Sequence, residues 1–469
     1  MATMPDTSAA PVGGARPAET YDEAEQALLS RWPETRLDPT LERIASFTRL
    51  LGDPQRGYPV IHLTGTNGKT STSRMVDGLI RALGLRTGRF TSPHVESMNE
   101  RISVDGEPLT EEQFVAAYND VAAYTHLVDR APANTSGHPL SFFETIVGMA
   151  YAAFADAPVD VAIVEVGMGG SWDATNVADG AVAVVGPISV DHAKYLGERP
   201  EDIAVEKSGI IKAGATVIMA AQSPEVTEVL LARATEAGTT VAREGIDFSV
   251  VHRVSAVGGQ MLHLQGLRGE YDEVFLPLYG AHQAQNAVLA LAAVEAFVGE
   301  EPLATELVRE AFAQVTSPAR LEIIRRSPTI VLDAAHNPHG AAATAEALQD
   351  SFMFSPLVGV VGVMEDKDYQ GVLEAFEPVF AEIVCTQNST RRAMDAEELA
   401  EVARGIFGSD RVHVARRLED AIDVAAGLAE GGGVRGEAIG SGGVLVTGSV
   451  ITAGEARSML KSREQRARS

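Results

Sequence analysis

The chain has 469 residues, and its 38 Lys and Arg against 64 Asp and Glu give a formal net charge of −26, which disfavours duplex DNA as a partner for the whole surface. At about 150 residues per domain the length predicts two or three domains, and 45% hydrophobic residues exclude general disorder. The single cysteine excludes an internal disulfide, and charged residues interrupt every apolar run before the roughly 18 residues that a membrane-spanning helix needs. We therefore predict a cytoplasmic protein that binds neither nucleic acid nor a membrane.

The chain begins with a segment of low complexity and continues with alternating strands and helices. Residues 1–20 are predicted to be a disordered tail, because the start is rich in Ala, Pro and Thr and lacks the apolar stretch of a signal peptide. Short apolar runs then alternate with helical patterns, an order typical of parallel strands covered by helices. In the first half, buried strands are predicted at residues 60–63, 159–166, 182–185 and 216–220.

The pattern changes twice in the second half. Residues 246–278 are typical of short antiparallel strands, and residues 282–298 follow as a helix. A break at residues 299–302 precedes a second alternation of strands and helices. The sequence thus predicts an α/β fold: a P-loop-type parallel-sheet domain over residues 21–299, followed by a smaller Rossmann-like α/β domain over residues 300–469.

The strongest local signal is Gly65-Thr66-Asn67-Gly68-Lys69-Thr70, which follows the first strand and begins a helix. Its glycines let backbone N–H groups surround phosphate oxygens, the helix N-terminus adds partial positive charge, and Lys69 supplies a cation. Thr70 offers a hydroxyl to Mg²⁺. The spacing departs from the standard P-loop, because Leu63 stands where the first glycine is expected. A glycine-rich turn with an incidental lysine is the alternative, but the position between strand and helix favours binding of a nucleoside triphosphate.

Two further strand ends offer candidate metal ligands. Glu165 ends a buried apolar strand, where a charge is unfavourable unless it is paired or metal-bound, and an exposed strand-end glutamate is the alternative. The next strand leads to Asp191-His192, where the imidazole is either a metal ligand or a hydrogen-bonded loop residue. Lys207, judged from its neighbours alone, is predicted to be a helical surface lysine.

Together these motifs resemble the folylpolyglutamate synthase and dihydrofolate synthase branch of the Mur ligase superfamily, over nearly the whole chain. The resemblance depends on an ordered set of segments at residues 65–70, 91–94, 100–102, 165–176, 191–192, 206–209, 282–286, 320–322, 333–338 and 364–368. No single segment is specific, but the ordered set is.

The resemblance implies an enzyme that uses ATP and Mg²⁺ to join L-glutamate to dihydropteroate, to the γ-carboxyl of a reduced folate, or to both, through an acyl phosphate. It implies two metal ions, held by Ser92, Glu165 and His192, and a carbamylated Lys207 that steadies the second ion. It assigns ATP binding to Thr66, Asn67, Gly68, Lys69, Thr70, Ser71, His282, Asn286, Arg320 and Asp333.

The same resemblance implies that His336 lies near the transferred phosphoryl group and the incoming amino acid. Lys69, Lys207 and His336 then form the predicted catalytic set. The predicted substrate-binding residues are Phe143, Glu144, Lys367 and Arg392.

Without the resemblance, plainer structural explanations suffice for several of these residues. A capped helix explains His282 and Asn286, and a polar turn explains His336. Core packing explains Phe143, and solvation explains Arg392.

One residue departs from the family pattern, and several functions stay open. Ser171 stands where the family usually has an arginine, so one expected cation is missing. The alternatives are another Mur-type amide ligase, a non-catalytic ATP-binding module of the same fold, and a small-molecule kinase. Because the loop begins at residue 65, we expect no separate nucleotide-sugar domain ahead of it, at roughly 50 residues or more plus linkers. A monomer whose two domains close around the reaction is expected.

Overall fold

Two large sheets and one small sheet organise the chain, which a computed structural model describes over residues 17–33, 38–131, 137–431 and 442–468. The first large sheet contains β1 (Val60–Thr64), β2 (Thr87–Phe90), β3 (Ile102–Val104), β4 (Glu107–Pro108), β5 (Val161–Glu165), β6 (Gly180–Val185), β7 (Thr216–Met219) and β8 (Thr240–Arg243). The small sheet contains β9 (Ser249–Ala256), β10 (Gly259–Gln265) and β11 (Glu270–Leu276). The second large sheet contains β12 (Glu322–Arg326), β13 (Thr329–Leu332), β14 (Leu357–Val361), β15 (Glu382–Gln387), β16 (Val412–Arg417) and β17 (Gly443–Thr447).

Helices cover both faces of the large sheets. Those before the second large sheet are α1 (Tyr21–Leu29), α2 (Glu42–Leu50), α3 (Lys69–Ala82), α4 (Glu111–Asp129), α5 (Phe142–Asp156), α6 (Ala193–Leu196), α7 (Pro200–Lys207), α8 (Pro224–Ala237), α9 (Ala281–Val298) and α10 (Thr305–Ala313). Those of the second large sheet are α11 (Pro338–Ser351), α12 (Tyr369–Phe376), α13 (Ala396–Phe407), α14 (Leu418–Gly431) and α15 (Val450–Arg468). Across the described ranges, no helix combines the length and the apolar character that crossing a membrane requires.

The first sheet has the order β4-β3-β2-β5-β1-β6-β7-β8, so β1 lies between β5 and β6. Leu63 is in register with Glu165 on one side and Thr64 with Val185 on the other. The segment after β1 therefore emerges between the end of β5 and the segment that follows β6, at the edge where α/β proteins bind ligands. The predicted α/β class is confirmed, although β3 and β4 add an antiparallel edge that the prediction did not include.

The second sheet has the order β12-β13-β17-β14-β15-β16, with β12 antiparallel and the remaining strands parallel. The carboxyl ends of β13, β17 and β14 therefore meet at one edge. The segments that follow these three strands are thereby brought together, and they face the loop edge of the first sheet.

The division between the domains lies later than the predicted boundary at residue 300. Val308, Phe312 and Val315 belong to the same apolar core as Met75 and Val288, which lie on α3 and α9. Because α10 is amphipathic and packs its apolar side into that core, the first domain continues through Val315.

The predicted tail is also shorter than expected where the structure describes it. Residues 1–16 of this prediction lie outside the described residues. Ala18 is buried, and its backbone N–H and C=O bond to the Asn119 side chain at 2.7 and 2.9 Å. The hydroxyl of Thr20 accepts from the N–H of Glu23 and caps α1. Ala18 is therefore anchored on the first domain and Thr20 belongs to the start of α1, so the predicted tail ends before residue 18.

Candidate active site

The loop after β1 is shaped by glycines that other residues could not replace. Gly68 precedes α3 with φ 83°, and a Cβ there would lie 2.4 Å from Oδ1 of Asn286. At Gly65 a Cβ would lie 3.1 Å from Cα of Gly186, in the segment after β6. The positive φ values of 149° at Gly65 and 83° at Gly68 favour glycine, and the loop backbone packs closely between α9 and the neighbouring strand end.

Lys69 lies inside this loop. Its Nζ donates to the carbonyl oxygens of Gly65 and Thr66 at 3.0 and 3.3 Å. Burial lowers the pKa of the Lys69 ammonium, and the charges of Glu165 and Asp191 oppose that shift. The cation is therefore placed at the start of α3, where the helix dipole also favours an anion.

Glu165 is where the sequence predicted it, at the end of β5 beside the loop. It is only 1% exposed, and both its carboxylate oxygens accept from the Thr70 hydroxyl, at 3.1 and 3.0 Å. Burial raises the pKa of the Glu165 carboxyl, whereas Lys69, the Thr70 hydroxyl and the Ser92 N–H favour its ionised form. Such a buried carboxylate with hydroxyls beside it offers the oxygen donors that Mg²⁺ prefers.

A metal ion at this place would need donors beyond the acidic and histidine side chains. Within the described ranges, no group of three or more His, Cys, Asp or Glu side chains could hold a metal ion by itself. Ser92 lines the same cavity as Glu165, whereas the Nε2 of His192 contacts Lys367 at 3.4 Å and lies 3.8 Å from Asp191. Burial lowers the pKa of His192 to about 4, so its imidazole is neutral at pH 7. Glu165, Thr70 and Ser92 therefore fit Mg²⁺ bound together with phosphate, whereas the Nε2 of His192 contacts Lys367.

Asp191 joins the two domains, a role that the sequence did not reveal. Its carboxylate accepts from Lys367 Nζ at 2.7 Å and from Asn337 Nδ2 at 3.1 Å, and it lies 3.6 Å from Nε2 of His336. Burial alone would raise the pKa of Asp191, but the nearby His336 imidazole and the Lys367 charge hold it well below its usual range. Three side chains of the second domain thus converge on one carboxylate of the first.

A pair of amides makes a second bridge between the domains. Asn67 Nδ2 donates to Oδ1 of Asn337 at 3.2 Å, and Asn337 Nδ2 donates to Oδ1 of Asn67 at 3.0 Å. Asn337 also caps α11 through the N–H of Gly340. The predicted phosphate loop is therefore tied directly to the segment that carries His336.

Lys207 is buried, which corrects the prediction of a surface lysine. It ends α7 with 4% exposure, and its Nζ donates to the Gly65 carbonyl at 3.0 Å. Burial, with the nearby Lys69 charge, lowers the pKa of Lys207 to about 7. Ala204 of α7 packs into the apolar core that lies against the sheet. This packing places Lys207 beside the loop.

Ser171 faces away from the site. Its hydroxyl donates to Glu206 at 2.5 Å, and a Cβ at Gly209 would lie 2.4 Å from its Cα. The side chain lines neither of the two cavities described below. The Ser171 hydroxyl is therefore engaged with Glu206 outside the two cavities.

The predicted ATP residues fall into two groups. Arg320 lines the cavity around Lys69, and His282 begins α9 close enough to Arg320 for that charge, after burial, to help lower the pKa of His282 to about 4. Asn286 is buried against Gly68 and donates to Gln283 at 3.1 Å.

The remaining two residues are occupied within the protein. The Ser71 hydroxyl is 3.0 Å from that of Ser317. Asp333 accepts from the N–H groups of Leu321 and Ala335 and from the Thr344 hydroxyl, at 2.9 to 3.0 Å. Like His282 and Asn286, neither lines either of the two cavities described below, so the predicted ATP contacts of these four residues stay predictions.

Two adjoining cavities lie between the domains. The smaller, about 110 Å³ and here named the loop cavity, is lined by residues 65–70 together with Ser92, Glu165, Asp191, His192, Lys207, Arg320 and His336. The larger, about 340 Å³ and here named the wide cavity, shares Ser92, Gly167, Met168, His192 and His336 with it. Lys69, Lys207 and His336, the predicted catalytic set, all line the loop cavity.

The four predicted substrate residues all line the wide cavity, but they are held differently. Phe143 packs on Phe90 at a centroid distance of 5.9 Å. Glu144 is buried, pairs with Arg43 at 3.0 Å and caps its own helix, so its carboxylate is used within the wall. Arg392 pairs with Asp366 at 2.8 Å and is half-exposed.

Sequence reasoning missed several residues that line the wide cavity: Trp32, Asp38, Arg43, Arg101, Trp172 and Tyr195. Arg101 is held by His94 through Nε at 3.0 Å and stacks on Phe142. The one available signal was that Arg101 and Trp172 fall in two segments that carry the resemblance, at residues 100–102 and 165–176.

Comparison with known proteins agrees with this geometry. Residues 63–294 match the Mur ligase middle domain, and residues 319–450 match the Mur ligase, glutamate ligase domain. The fold and site thus define a ligase of the Mur type.

Individual relatives narrow the family. A dihydrofolate synthase/folylpolyglutamate synthase of Mycobacterium tuberculosis is 52% identical over 93% of this chain and 93% of its own length. A folylpolyglutamate synthase of Lacticaseibacillus casei is 35% identical over 73% of this chain and 79% of its own. The structure of Mycobacterium tuberculosis folylpolyglutamate synthase complexed with ADP superimposes with a TM-score of 0.90 at 51% identity, covering 94% of this chain and 98% of that one. The chain belongs to the dihydrofolate synthase/folylpolyglutamate synthase family of Mur ligases, which confirms the resemblance drawn from its motifs.

Proposed function

We propose that the chain is an ATP-dependent ligase that joins L-glutamate to dihydropteroate, to the γ-carboxyl of a reduced folate, or to both; its relatives are named dihydrofolate synthase/folylpolyglutamate synthase and folylpolyglutamate synthase. The supporting observation is the meeting of two cavities of different character at Ser92, His192 and His336. One contains the phosphate loop with Lys69, and the other has aromatic and ion-paired walls. An acceptor carboxylate in the wide cavity would therefore face a γ-phosphate in the loop cavity.

The proposed chemistry follows from the poor reactivity of a carboxylate. A carboxylate oxygen attacks the γ-phosphorus of ATP, ADP leaves, and an acyl phosphate forms. The amine of glutamate then attacks the acyl carbon, inorganic phosphate leaves, and the nitrogen loses a proton. Lys69 and Arg320 offset the charge of the phosphate oxygens, and His336 is the group at the meeting point that we propose for the proton.

Mg²⁺ fits this site through Glu165, Thr70 and Ser92, which supply a carboxylate and two hydroxyls. When bound, the ion would withdraw charge from the phosphate oxygens. A second ion, and ligation by His192, remain predictions.

Carbamylation of Lys207 is supported by its burial and by its pKa of about 7, because only a neutral amine adds CO₂. The adduct would convert a cation beside the loop into an anion. It would also exchange the bond to the Gly65 carbonyl for oxygen donors that favour a second cation.

The bridges between the domains support a reaction that excludes water. Lys367 and Asn337 reach Asp191, and Asn337 also pairs with Asn67. These contacts cover the junction of the two cavities, where an acyl phosphate must be kept from hydrolysis.

The alternatives receive less support. Ser171 was the feature that favoured a non-catalytic module, and it lines neither cavity. A small-molecule kinase would not need His336 and Lys367 of the second domain at the junction. A cytoplasmic location and a monomeric state stay predictions.

The proposal is tested by supplying ATP, Mg²⁺ and labelled L-glutamate with either dihydropteroate or tetrahydrofolate, and by following ADP and the amide product. We expect one ADP for each amide formed, with at least one acceptor. A phosphorylated acceptor that persists in the presence of glutamate would indicate a kinase. Nucleotide binding without ADP formation would indicate the non-catalytic module.

A further inference from the structure

The loop that carries Ser92 is held in a fixed shape by a single carboxylate. Glu100 accepts from the backbone N–H groups of Val95, Glu96 and Ser97, at 2.9 to 3.1 Å. These bonds fold residues 95–97 into a turn shortly after β2, and Glu96 lies four residues from Ser92 on the same loop.

The outer side of this turn packs against α15 of the second domain. A Cβ at Gly454 would lie 1.9 Å from the carbonyl oxygen of Val95, so only glycine permits the approach. The Val95 side chain packs with Ala319, Ala453 and Val450. The contact is therefore close and apolar at its centre.

An ion-pair network surrounds that contact. Arg457 of α15 donates through Nη1 to Glu96 and pairs through Nε with Glu322 at 2.8 Å. Ser458 and Lys461, on the same helix, reach Glu96 at 3.0 and 3.3 Å. The side chains of Arg457, Glu96 and Glu322 are 15%, 22% and 23% exposed, so the pairs are partly shielded from solvent.

Glu322 also stabilises the backbone turn that contains Arg320. Its carboxylate accepts from the N–H of Ala319 at 2.9 Å. Ala319 and Leu321 have φ values of 54° and 47°, which are unfavourable for residues with a Cβ. The shape of this turn therefore depends on side chains that bind its backbone.

We propose that Arg457 is a positioning residue for the nucleotide site. It connects the Ser92 loop of the first domain to the Arg320 turn of the second, and both segments line the loop cavity. Arg457 thereby stabilises the closed arrangement in which both segments reach the same phosphates. This inference rests on the proposed function in one respect: the loop cavity is taken to bind ATP.

The test compares Arg457→Met and Arg457→Lys with a matched control, Arg463→Met. Arg463 lies on the same helix and also pairs with two carboxylates, Glu419 at 2.6 Å and Asp423 at 2.9 Å, but both belong to its own domain. We expect Arg457→Met to raise KM for ATP about tenfold, a typical coupling between sites, while KM for the folate acceptor stays unchanged. Arg457→Lys should recover most of the loss, and Arg463→Met should match the parent protein. A general loss of structure would raise both KM values and would not be rescued by lysine.

A second measurement does not depend on turnover. Dyes on cysteines introduced as Glu236→Cys and Glu401→Cys, at exposed positions of the two domains, report their separation by energy transfer, because Cys385 is buried. ADP with Mg²⁺ should bring the dyes together in the parent and in Arg463→Met, but much less in Arg457→Met. Should Arg457→Met fail to fold, Glu96→Gln removes the same link from the first domain and should reduce the same response.

The outcomes separate the inference from the proposed function. If Arg457→Met retains both the parent KM for ATP and the parent dye response, the positioning role is wrong. If the parent protein makes no amide with any acceptor, the ligase assignment fails, whereas the dye response to ADP still decides the role of Arg457.

Discussion

The loop cavity and the wide cavity are neighbours built in different ways. In the loop cavity, one continuous segment of the chain supplies backbone groups, Lys69 and Thr70, and single side chains such as Glu165, Lys207 and His336 complete it. In the wide cavity, side chains come from segments far apart in the chain, including Trp32, Arg101 and Trp172. The loop cavity has little freedom to vary, because backbone groups form much of it. The wide cavity can be altered by substituting one side chain at a time. The first should determine the chemistry, and the second the acceptor.

The largest effect is expected from removing the cation of the loop cavity, which tests whether this cavity determines the chemistry. Lys69→Met should lower kcat/KM about 10³-fold with every acceptor, because one preorganised charge on the transferred phosphoryl group is lost. The control is Lys212→Met, which removes another lysine bonded to backbone carbonyls, at 2.6 and 2.7 Å, that lines neither cavity. Steady-state rates with two acceptors measure the effect. A loss confined to one acceptor would show that the loop cavity also takes part in acceptor choice.

A substitution at Asp191 tests whether the junction between the two cavities contributes to the function of both cavities. Asp191→Asn should lower kcat about 10²-fold, because Lys367 and His336 lose the charge that orients them. Small misplacements of such groups have large effects on the reaction rate. Asp350→Asn is the control, because it weakens another pair between the domains, with Arg253 at 2.6 Å, away from both cavities. Single-turnover rates with saturating substrates distinguish the two variants. Equal effects of both would mean that Asp191 only holds the domains together.

The contrast between the cavities also explains how much the sequence could predict. The α/β class, the buried strands and the places of Lys69 and Glu165 followed from contiguous patterns, because a strand, a turn and a helix are local. Lys207 and Asp191 were misjudged or overlooked, since their surroundings come from the packing of α7 and from the second domain. Four residues of the wide cavity, Phe143, Glu144, Lys367 and Arg392, were predicted only through the family resemblance, because no local pattern tells which distant side chains will share a wall.

A wall of the wide cavity can be altered through Arg43. Arg43→Met leaves the buried Glu144 without its arginine, which should lower the free energy of unfolding by about 3 kcal/mol. KM for at least one acceptor should rise about tenfold, the equivalent of about 1.4 kcal/mol, while KM for ATP stays unchanged.

The control for Arg43 is Arg31→Met. Arg31 pairs with Asp129 at 2.8 Å in the same domain but lines neither cavity. The Arg31→Met variant should be less stable than the parent protein and should keep the parent's KM for the acceptor. Urea unfolding and initial rates, measured on the same samples, separate the two effects. A rise in KM for ATP in Arg43→Met would show that the wall of the wide cavity also affects ATP binding in the loop cavity.

The smallest expected effect concerns Lys207, where the loop cavity could itself be adjusted. Its pKa of about 7 means that the neutral amine predominates above this pH, so its fraction rises about tenfold between about pH 6 and pH 8. In buffer depleted of CO₂, added bicarbonate should therefore raise activity a few-fold, and the gain should be larger at the higher pH because more of the amine can add CO₂. A carbamate signal from ¹³C-bicarbonate should appear in the NMR spectrum of the parent protein and of Lys212→Met, but not of Lys207→Met. An activity that is independent of bicarbonate, with no such signal, would leave Lys207 as a buried amine that only holds the Gly65 carbonyl, and the loop cavity would then be as fixed as its backbone suggests.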